Sequence, residues 1–321
     1  MEIVKAVLKA DQKIHAIIRE TPLEYSFHLS NMSGCNVYLK LENLQFTGSF
    51  KTRGAISKLM SLTPEERAKG IVAASTGNHG AAVAFGLREL GITGTIFVPK
   101  NASRAKMQAI EKYGTELRTY GFSGLETEIY AREYAETHNH IYISSYNDTN
   151  VIGGQGTVGL EIARQIDHLD AVFVSVGGGG LIAGISAYLK SVFDNLTVVG
   201  CSALNSSVMY ESIKAGKIVK MPEKKTISDG TTGGIEQNAI TFDLCRELID
   251  EHCVISEDDI RKAMIGFMEN HHLMIEGAAG VALASFLQMQ ERFKDKTVVI
   301  VVCGANIGME TLVPILAKGG S

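Results

Sequence analysis

Short apolar segments alternate with amphipathic segments along most of the chain, and glycines mark many of the junctions. The clearest junction is "AVFVSVGGGGLIAGISAYL", in which a β-branched segment runs through the four glycines 177–180 into a helical segment. Such alternation is typical of parallel α/β sheets, because parallel strands are joined by helical crossovers. We therefore predict a two-domain α/β fold of doubly wound, mostly parallel open sheets.

The grouping of these segments predicts where the domains divide. The smaller domain is expected at 49–145, and the larger domain is expected to combine 1–48 with 146–321. The predicted strands include 36–42, 70–76, 94–100, 140–146, 171–176 and 296–304. The predicted helices include 49–60, 77–91, 103–114 and 124–138.

Composition and charge exclude several classes of protein. The net charge is -4 and the lysines and arginines are scattered, so we expect no nucleic-acid partner. We expect no membrane association, because no apolar run approaches the length that spans a bilayer. The N-terminus is unlike a signal peptide, and the five cysteines are odd in number and lack C-x-x-C spacing. These features favour a cytoplasmic protein without a disulfide framework or a zinc site.

The glycine cluster at 177–180 predicts an anion site, because free backbone N–H groups at a helix start favour negative charge. A phosphate is the natural occupant, and a tight turn without a ligand is the alternative. Gly178, Gly180 and Ala183 also match the dinucleotide pattern G-x-G-x-x-A. That pattern needs an acid at the end of the next strand, which here ends in Cys201 and Ser202. A single phosphate group therefore fits better.

A lysine in a small-residue loop adds a second indication. "QFTGSFKTRGA" places Lys51 directly after Gly48, Ser49 and Phe50. Together with a phosphate site that lacks a ribose partner, this lysine suggests a phosphorylated aldehyde held as an imine. Pyridoxal phosphate is the usual cofactor of that kind. The alternative is that Lys51 and Arg53 form a basic helix start facing solvent.

Five motifs together resemble one family. "SFKTRGA", "ASTGNHGAAVA", "VIGGQGTVGLEI", "SVGGGGLIAGI" and "VVCGANIG" occur in the order found in serine/threonine dehydratases. These are fold-type II pyridoxal phosphate enzymes, a group that also includes serine racemase. The resemblance extends from about residue 15 to the end. It implies pyridoxal 5'-phosphate in the cleft between two domains, and a homodimer.

The resemblance also implies roles for individual residues. Lys51 would bind the cofactor covalently and remove the substrate α-proton, and Asn78 would contact the ring hydroxyl. The phosphate would be held by Gly177, Gly178, Gly179, Gly180 and Leu181. The substrate carboxylate would be received by the loop Ser75, Thr76, Gly77, Asn78 and His79. Further cofactor contacts would come from Phe50, Glu276 and Cys303.

Several of these residues have an alternative interpretation. His79 suggests a general base, but the resemblance gives that task to Lys51, so His79 is interpreted as a structural loop residue. A cysteine at a strand end, such as Cys303, is more often part of the hydrophobic core than a reactive group. Glu276 is equally plausible as a carboxylate at a helix N-terminus. Gly230, Gly233 and Gly234 are expected in a second loop near the cofactor, or in a plain surface loop.

The branch of the family is indicated by a few positions. "SFKTRGA" with Arg53 resembles the dehydratases and differs from enzymes that make cysteine or cystathionine, whereas Tyr146 and Thr76 favour a lyase over a racemase. Cys303 would face the pyridine nitrogen as a neutral partner, which suits β-elimination. Ser202 stands where many members carry a metal-ligating glutamate, so we predict no tight metal site.

The predicted reaction is α,β-elimination from a β-hydroxy L-amino acid such as threonine or serine, giving a 2-oxo acid and ammonia. Dehydratases of hydroxyectoine breakdown or of hydroxyaspartate type, and serine racemase, stay open. So do two other classes, a nicotinamide-dependent dehydrogenase and a non-catalytic amino-acid sensor.

Overall fold

The computed structural model of the protein describes residues 2–317. Within them the strands are β1 (Leu23–Tyr25), β2 (Asn36–Leu41), β3 (Ile71–Ala74), β4 (Gly94–Val98), β5 (Glu116–Thr119), β6 (Ile141–Tyr142), β7 (Ala171–Ser175), β8 (Thr197–Ala203), β9 (Glu251–Ile255) and β10 (Thr297–Val302). The helices are α1 (Glu2–Ile14), α2 (Phe27–Ser33), α3 (Lys51–Ser61), α4 (Pro64–Ala68), α5 (Asn78–Leu90), α6 (Arg104–Glu111), α7 (Gly124–Thr137), α8 (Thr149–Gln165), α9 (Gly180–Leu189), α10 (Val208–Ala215), α11 (Ile240–Leu248), α12 (Glu257–His271), α13 (Gly277–Met289) and α14 (Met309–Ala317).

The described strands form two sheets. The larger has six strands in the order β1-β2-β10-β7-β8-β9, and the smaller has four in the order β5-β4-β3-β6. All neighbours pair in parallel except β1 and β2, which pair antiparallel. The prediction of an α/β fold with two mostly parallel sheets is confirmed.

The core of the larger sheet follows from its sequence. Every residue of β7 is buried, as are five of the six residues of β10. Strands covered on both faces read as continuous β-branched runs, because neither face meets water. The α13 helix, rich in alanine and glycine, packs against β7, β8 and β10. Small side chains let its backbone approach the sheet closely.

All six predicted strands end earlier than expected, and two of them show where the released residues go. The segment 70–76 is a strand only over Ile71–Ala74, and 140–146 only over Ile141–Tyr142. Beyond Tyr142 the chain turns, and the Ser144 hydroxyl accepts hydrogen bonds from the N–H groups of Tyr146 and Asn147. A side chain that caps a local turn competes with strand pairing. The residues released from both strands lie in the loops described below.

The domain division at 48/49 and 145/146 stays a prediction. All strands of the smaller sheet fall within 49–145, and the described strands of the larger sheet fall outside that range. The α3 helix packs against both α5 and α8, so it contacts elements of each group. No helix in the described part of the chain combines the length and the apolar character needed to cross a membrane.

Candidate active site

The loops after three parallel strands meet in one cleft. The loop after β3 leads through Ser75–Gly77 into α5, and the loop after β7 leads through the glycines into α9. Cys303 directly follows β10, and its carbonyl accepts a hydrogen bond from the N–H of Phe50. Ligands of open α/β sheets bind at the carboxyl ends of strands, where such loops converge.

Lys51 is the first residue of α3, and it is a half-buried residue whose side chain reaches into this cleft. Its Nζ donates to the carbonyl oxygen of Ser145 at 2.8 Å and lies 5.2 Å from the ring centroid of the half-buried Phe50. Burial lowers the pKa of the Lys51 ammonium to about 8, although Cys303 and Glu276 oppose the shift. The cleft therefore holds an amine that loses its proton far more readily than an exposed lysine.

The glycine turn before α9 has two features of an anion site. Gly179 has φ +87°, a left-handed conformation that favours glycine, and it precedes α9 without a side-chain cap. A Cβ on Gly178 would lie 2.5 Å from Cγ of Tyr146. The Tyr146 ring therefore covers the glycine closely, and its neighbour Ser145 is the acceptor of the Lys51 amine. The turn and the lysine are thus joined through consecutive residues, and Leu181 is buried in the first turn of α9.

The loop Ser75–His79 is the second helix start at the cleft. Ser75 and Thr76 are half-buried and Gly77 is exposed. The Ser75 hydroxyl accepts from the N–H of Gly77 at 3.1 Å. His79 is buried, with Nε2 2.9 Å from the carbonyl oxygen of Ile143. Burial lowers the pKa of His79 to about 3, so the ring is neutral and its Nε2–H donates to that carbonyl. This supports the interpretation of His79 as a structural residue.

The two helix starts at the cleft lack the side-chain caps found at six other helices, as do the starts of α3, α10, α11 and α13. A hydroxyl or carboxylate side chain caps α2, α4, α6, α7, α8 and α12. The α5 and α9 helices begin at Gly77 and Gly179, which offer no side-chain cap. Their first N–H groups have no acceptor within the helix and carry the positive end of the helix dipole. The cleft therefore presents two helix starts suited to binding anionic groups.

Glu276 lies at the start of α13, close to both Lys51 and Cys303. Its carboxylate accepts from Nδ2 of Asn78 at 2.9 and 3.0 Å. Burial raises the pKa of Glu276 to about 7, against the lowering effect of its hydrogen bonds from Asn78 and Asn306. Burial, together with the charge of Glu276, also raises the pKa of the Cys303 thiol well above its usual value. Cys303 is therefore a neutral thiol at physiological pH.

The segment that contains the later glycines covers one side of the cleft. A Cβ on Gly230 would lie 3.1 Å from Oε1 of Glu276, and a Cβ on Gly177 would lie 3.0 Å from Cα of Thr231. The Tyr146 hydroxyl accepts from the N–H of Glu236 at 2.9 Å. Gly233 and Gly234 have open space around them. Of the three glycines expected in this loop, Gly230 is the one that reaches the site.

Arg53, two residues after Lys51, belongs to a different environment. Its guanidinium donates twice to Glu42, both times at 2.8 Å, and twice to Glu161, at 2.6 and 2.8 Å. Lys40 donates to the same Glu161 at 2.6 Å. Burial opposes the charge of Arg53, but the two carboxylates outweigh it and hold its pKa above the usual value. The alternative of a basic helix start facing solvent is wrong, because Arg53 is fully buried and the half-buried Lys51 donates its Nζ to the carbonyl oxygen of Ser145 inside the cleft.

Pattern reasoning missed three residues of the site. Ser145, the acceptor of the Lys51 amine, falls inside the predicted strand 140–146, where the pattern gives it no function. Glu236 lies in a stretch without periodicity. Asn306, whose contacts are described below, stands inside the motif "VVCGANIG". An asparagine between Gly304 and Gly308, shortly after a buried strand, was the signal available for it.

The residues of the cleft fit pyridoxal phosphate as a group. A buried amine of low pKa suits an aldehyde, and an uncapped helix start after four glycines suits a phosphate. Asn78 offers an amide, and Cys303 offers a neutral thiol. Hydrogen bonds join Asn78 to Glu276, and the charges of Glu276 and Cys303 act on the pKa of Lys51. The glycine turn is joined to Lys51 through Tyr146 and its neighbour Ser145.

Comparison with known proteins identifies the class. The family model described as "Pyridoxal-phosphate dependent enzyme" matches residues 14–304. The chain belongs to this family of pyridoxal-phosphate-dependent enzymes, as the motifs of the sequence predicted.

Individual relatives show which members of the family this chain is similar to. L-threonine dehydratase catabolic TdcB of Staphylococcus aureus (strain N315) is 38% identical over 315 residues, which cover 97% of this chain and 91% of the relative. The processed form of threonine deaminase isoform 2 from Solanum lycopersicum has a TM-score of 0.94 at 32% identity, covering 100% of this chain and 94% of that one. Maize serine racemase has a TM-score of 0.91 at 28% identity, covering 98% and 97%.

Proposed function

We propose that the protein is a pyridoxal-phosphate-dependent ammonia-lyase that acts on a β-hydroxy L-amino acid. The substrate loses its β-hydroxyl as water, and hydrolysis then releases a 2-oxo acid and ammonia. The observation that carries the proposal is the buried Lys51 amine, with a pKa of about 8, beside two helix starts that lack side-chain caps. The names of the dehydratase and deaminase relatives support it.

Lys51 and the helix starts hold the reactants. Lys51 would bind the cofactor, and the N–H groups from Gly177 to Leu181 would hold its phosphate. Asn78, Phe50, Glu276 and Cys303 would contact its ring. The N–H groups of the loop Ser75–His79 receive the substrate carboxylate, because the positive end of α5 favours an anion there. When bound, pyridoxal phosphate supplies an electron sink that makes the substrate α-proton acidic.

Lys51 is the base that removes this proton. A lysine at its ordinary pKa of about 10.4 is almost entirely protonated at neutral pH, whereas a pKa of about 8 leaves a usable fraction of free amine. Ser145 orients the amine through its carbonyl oxygen. Cys303 stays neutral, because its pKa is raised by burial, and does not add a charge beside the ring.

L-Threonine and L-serine are the substrates that we propose first. Related dehydratases acting on hydroxyectoine-breakdown or hydroxyaspartate-type amino acids are the alternative. Racemisation needs a second acid on the opposite face of the α-carbon, and Thr76 stands at that place by family resemblance. Its β-methyl restricts χ1, which disfavours this second role. Solved structures of serine racemases are also similar to this chain, so the test must separate the two outcomes.

The test measures products from a panel of substrates. The purified protein with bound cofactor is incubated with L-serine, L-threonine, hydroxyaspartate and related β-hydroxy amino acids, and 2-oxo acid and ammonia are assayed. We expect equal amounts of both products, and little D-serine by chiral chromatography. D-serine forming as fast as pyruvate would assign the racemase branch. Cofactor binding without any turnover would assign a sensor.

The assembly, the compartment and the movement of the domains belong to the same proposal. We expect a cytoplasmic homodimer. The five cysteines are free and buried, which suits a reducing compartment. We also expect the domain of residues 49–145 to close over the substrate and exclude water. Analytical ultracentrifugation of the protein with bound cofactor tests the dimer.

A further inference from the structure

Asn306 lies where three segments of the cleft meet, and the reaction described above does not use it. Its Nδ2 donates to the carbonyl oxygen of Thr47 at 2.8 Å and to Oδ1 of Asn78 at 2.7 Å. Its backbone N–H donates to Oε2 of Glu276 at 3.1 Å. Asn306 therefore contacts the loop that leads to Lys51, the first residue of α5 and the carboxylate at the start of α13.

The backbone around Asn306 leaves room for this amide. Gly48 has φ +76°, and a Cβ there would lie 2.8 Å from Oδ1 of Asn306. The carbonyl oxygen of Gly48 also accepts from the N–H of Ala305. Any other residue at position 48 would be strained and would push the amide away from Thr47. Glycine in the loop before Lys51 thus serves the placement of Asn306.

The contacts fix the orientation of the Asn78 amide. Thr47 offers a carbonyl, which only accepts, so the group of Asn306 that faces it is the NH₂. The same NH₂ therefore faces an acceptor on Asn78, which is Oδ1. On its other side Asn78 donates Nδ2–H to the two oxygens of Glu276. A flipped Asn78 would face an NH₂ with its own NH₂ and a carboxylate with its own oxygen.

We propose that Asn306 is a positioning residue that locks the Asn78 amide in one orientation and ties the start of α5 to the loop before Lys51. It acts through Asn78 and Thr47 without touching the reacting atoms. The link to cofactor binding rests on the proposed function, in which Asn78 contacts the ring. The link between the two segments is a property of the chain alone.

The first test uses the cofactor-free chain, so it does not depend on the proposed reaction. Asn306→Ala removes both side-chain donors, and Asn306→Asp places a carboxylate oxygen against Thr47 and Asn78. We expect hydrogen–deuterium exchange over 47–51 and 78–81 to rise about tenfold in the Ala variant and further in the Asp variant. Asn270→Ala is the control, because its amide donates only to Gly266 within α12; we expect wild-type exchange in these two segments.

The second test measures pyridoxal phosphate affinity by spectroscopic titration in a cycle of four proteins. These are the wild type, Asn306→Asp, Glu276→Gln and the double variant, which keeps the wild-type charge and reverses the polarity of both partners of Asn78. We expect Asn306→Asp to weaken binding about tenfold, and the double variant to bind better than the two single losses combined predict.

Two results would overturn the proposal. One is wild-type exchange over 47–51 and 78–81 in both Asn306 variants. The other is purely additive losses in the cycle, which would mean that Asn306 does not act through Asn78. A protein that shows the exchange changes and the coupling but turns over no amino acid would instead contradict the proposed function alone.

Discussion

Lys51 and Arg53 lie on the first turn of one helix, Lys51 half-buried and Arg53 fully buried, and they differ in what faces them. Arg53 makes four hydrogen bonds to two carboxylates, Glu42 and Glu161. Lys51 faces the carbonyl oxygen of Ser145. The carboxylates keep Arg53 charged, whereas burial lowers the pKa of Lys51 to about 8.

The difference shows how one helix carries both a structural cation, Arg53, and a reactive amine, Lys51. A buried charge is tolerated when carboxylates and hydrogen bonds compensate it, and otherwise the group tends to give up its charge. Through Glu42 and Glu161, Arg53 holds α3 against the segment after β2 and against α8, which fixes the position of Lys51. Among the described residues Lys51 has no carboxylate hydrogen-bond partner, so burial lowers its pKa and more of its amine is unprotonated at neutral pH.

The largest effect should be the loss of activity that follows from removing the Lys51 amine. Lys51→Met keeps the length of the side chain and loses the amine, so we expect kcat to fall by about 10⁴-fold or more. Borohydride treatment followed by peptide mapping should attach the cofactor to Lys51 in the wild type and to no lysine in the variant. Normal turnover by the variant, or a label on another lysine, would contradict the role given to Lys51.

Replacing Arg53 should lower the stability of the folded chain. Arg53→Met leaves Glu42 and Glu161 buried with Lys40 as the nearest cation, and we expect a loss of about 3–5 kcal/mol in the free energy of unfolding. Arg164→Met is the matched control, because Arg164 pairs with Asp11 at the surface; there we expect less than about 1 kcal/mol. Urea denaturation of the cofactor-free chains measures both. Equal losses would show that the buried cluster contributes no more than a surface pair.

Replacing Lys51 by methionine should instead raise the free energy of unfolding. The pKa of Lys51 is depressed in the folded chain, so its favourable contribution is present above pH 10.5 and is lost as pH falls through about 8. Lys51→Met should therefore stabilise the cofactor-free chain by up to about 3 kcal/mol at pH 7, and by less than about 1 kcal/mol at pH 10. Urea denaturation at these two pH values decides it. A gain that does not depend on pH would mean that the amine is not desolvated.

The smallest effect on kcat is expected from a conservative change of Cys303, a neutral side chain. Cys303→Ser keeps an uncharged hydrogen-bonding side chain after β10, and we expect kcat within about threefold of the wild type. Cys303→Asp would bury a carboxylate beside Glu276 and should weaken the lyase reaction or divert it to side products. Assays of 2-oxo acid release and of D-amino acid measure both outcomes. An Asp variant with the wild-type rate and products would remove the reason for a thiol at this position.

The fold and the helix starts of the site could be predicted from sequence because both depend on local pattern. Alternating β-branched and helical segments indicate a parallel sheet, and the four glycines before α9 indicate a helix start open to an anion. The network around Arg53 could not be predicted in this way. Glu42 and Glu161 are 119 residues apart in the chain, and no local rule pairs them with one arginine. The contacts of Asn306 likewise join residues 47, 78 and 276.

The strand order of the larger sheet has a consequence for how the protein is made. The β10 strand lies between β2 and β7, yet it is the last strand along the described chain. Until the ribosome has released it, β2 and β7 each present an unpaired edge, and most residues of both strands are buried in the folded protein. A nascent chain halted before residue 297 would hold the lysine and the glycine turn on two unjoined pieces of sheet, with edges prone to pair with other chains. Completion of the sheet and assembly of the cleft are then a single late event in the synthesis of the protein.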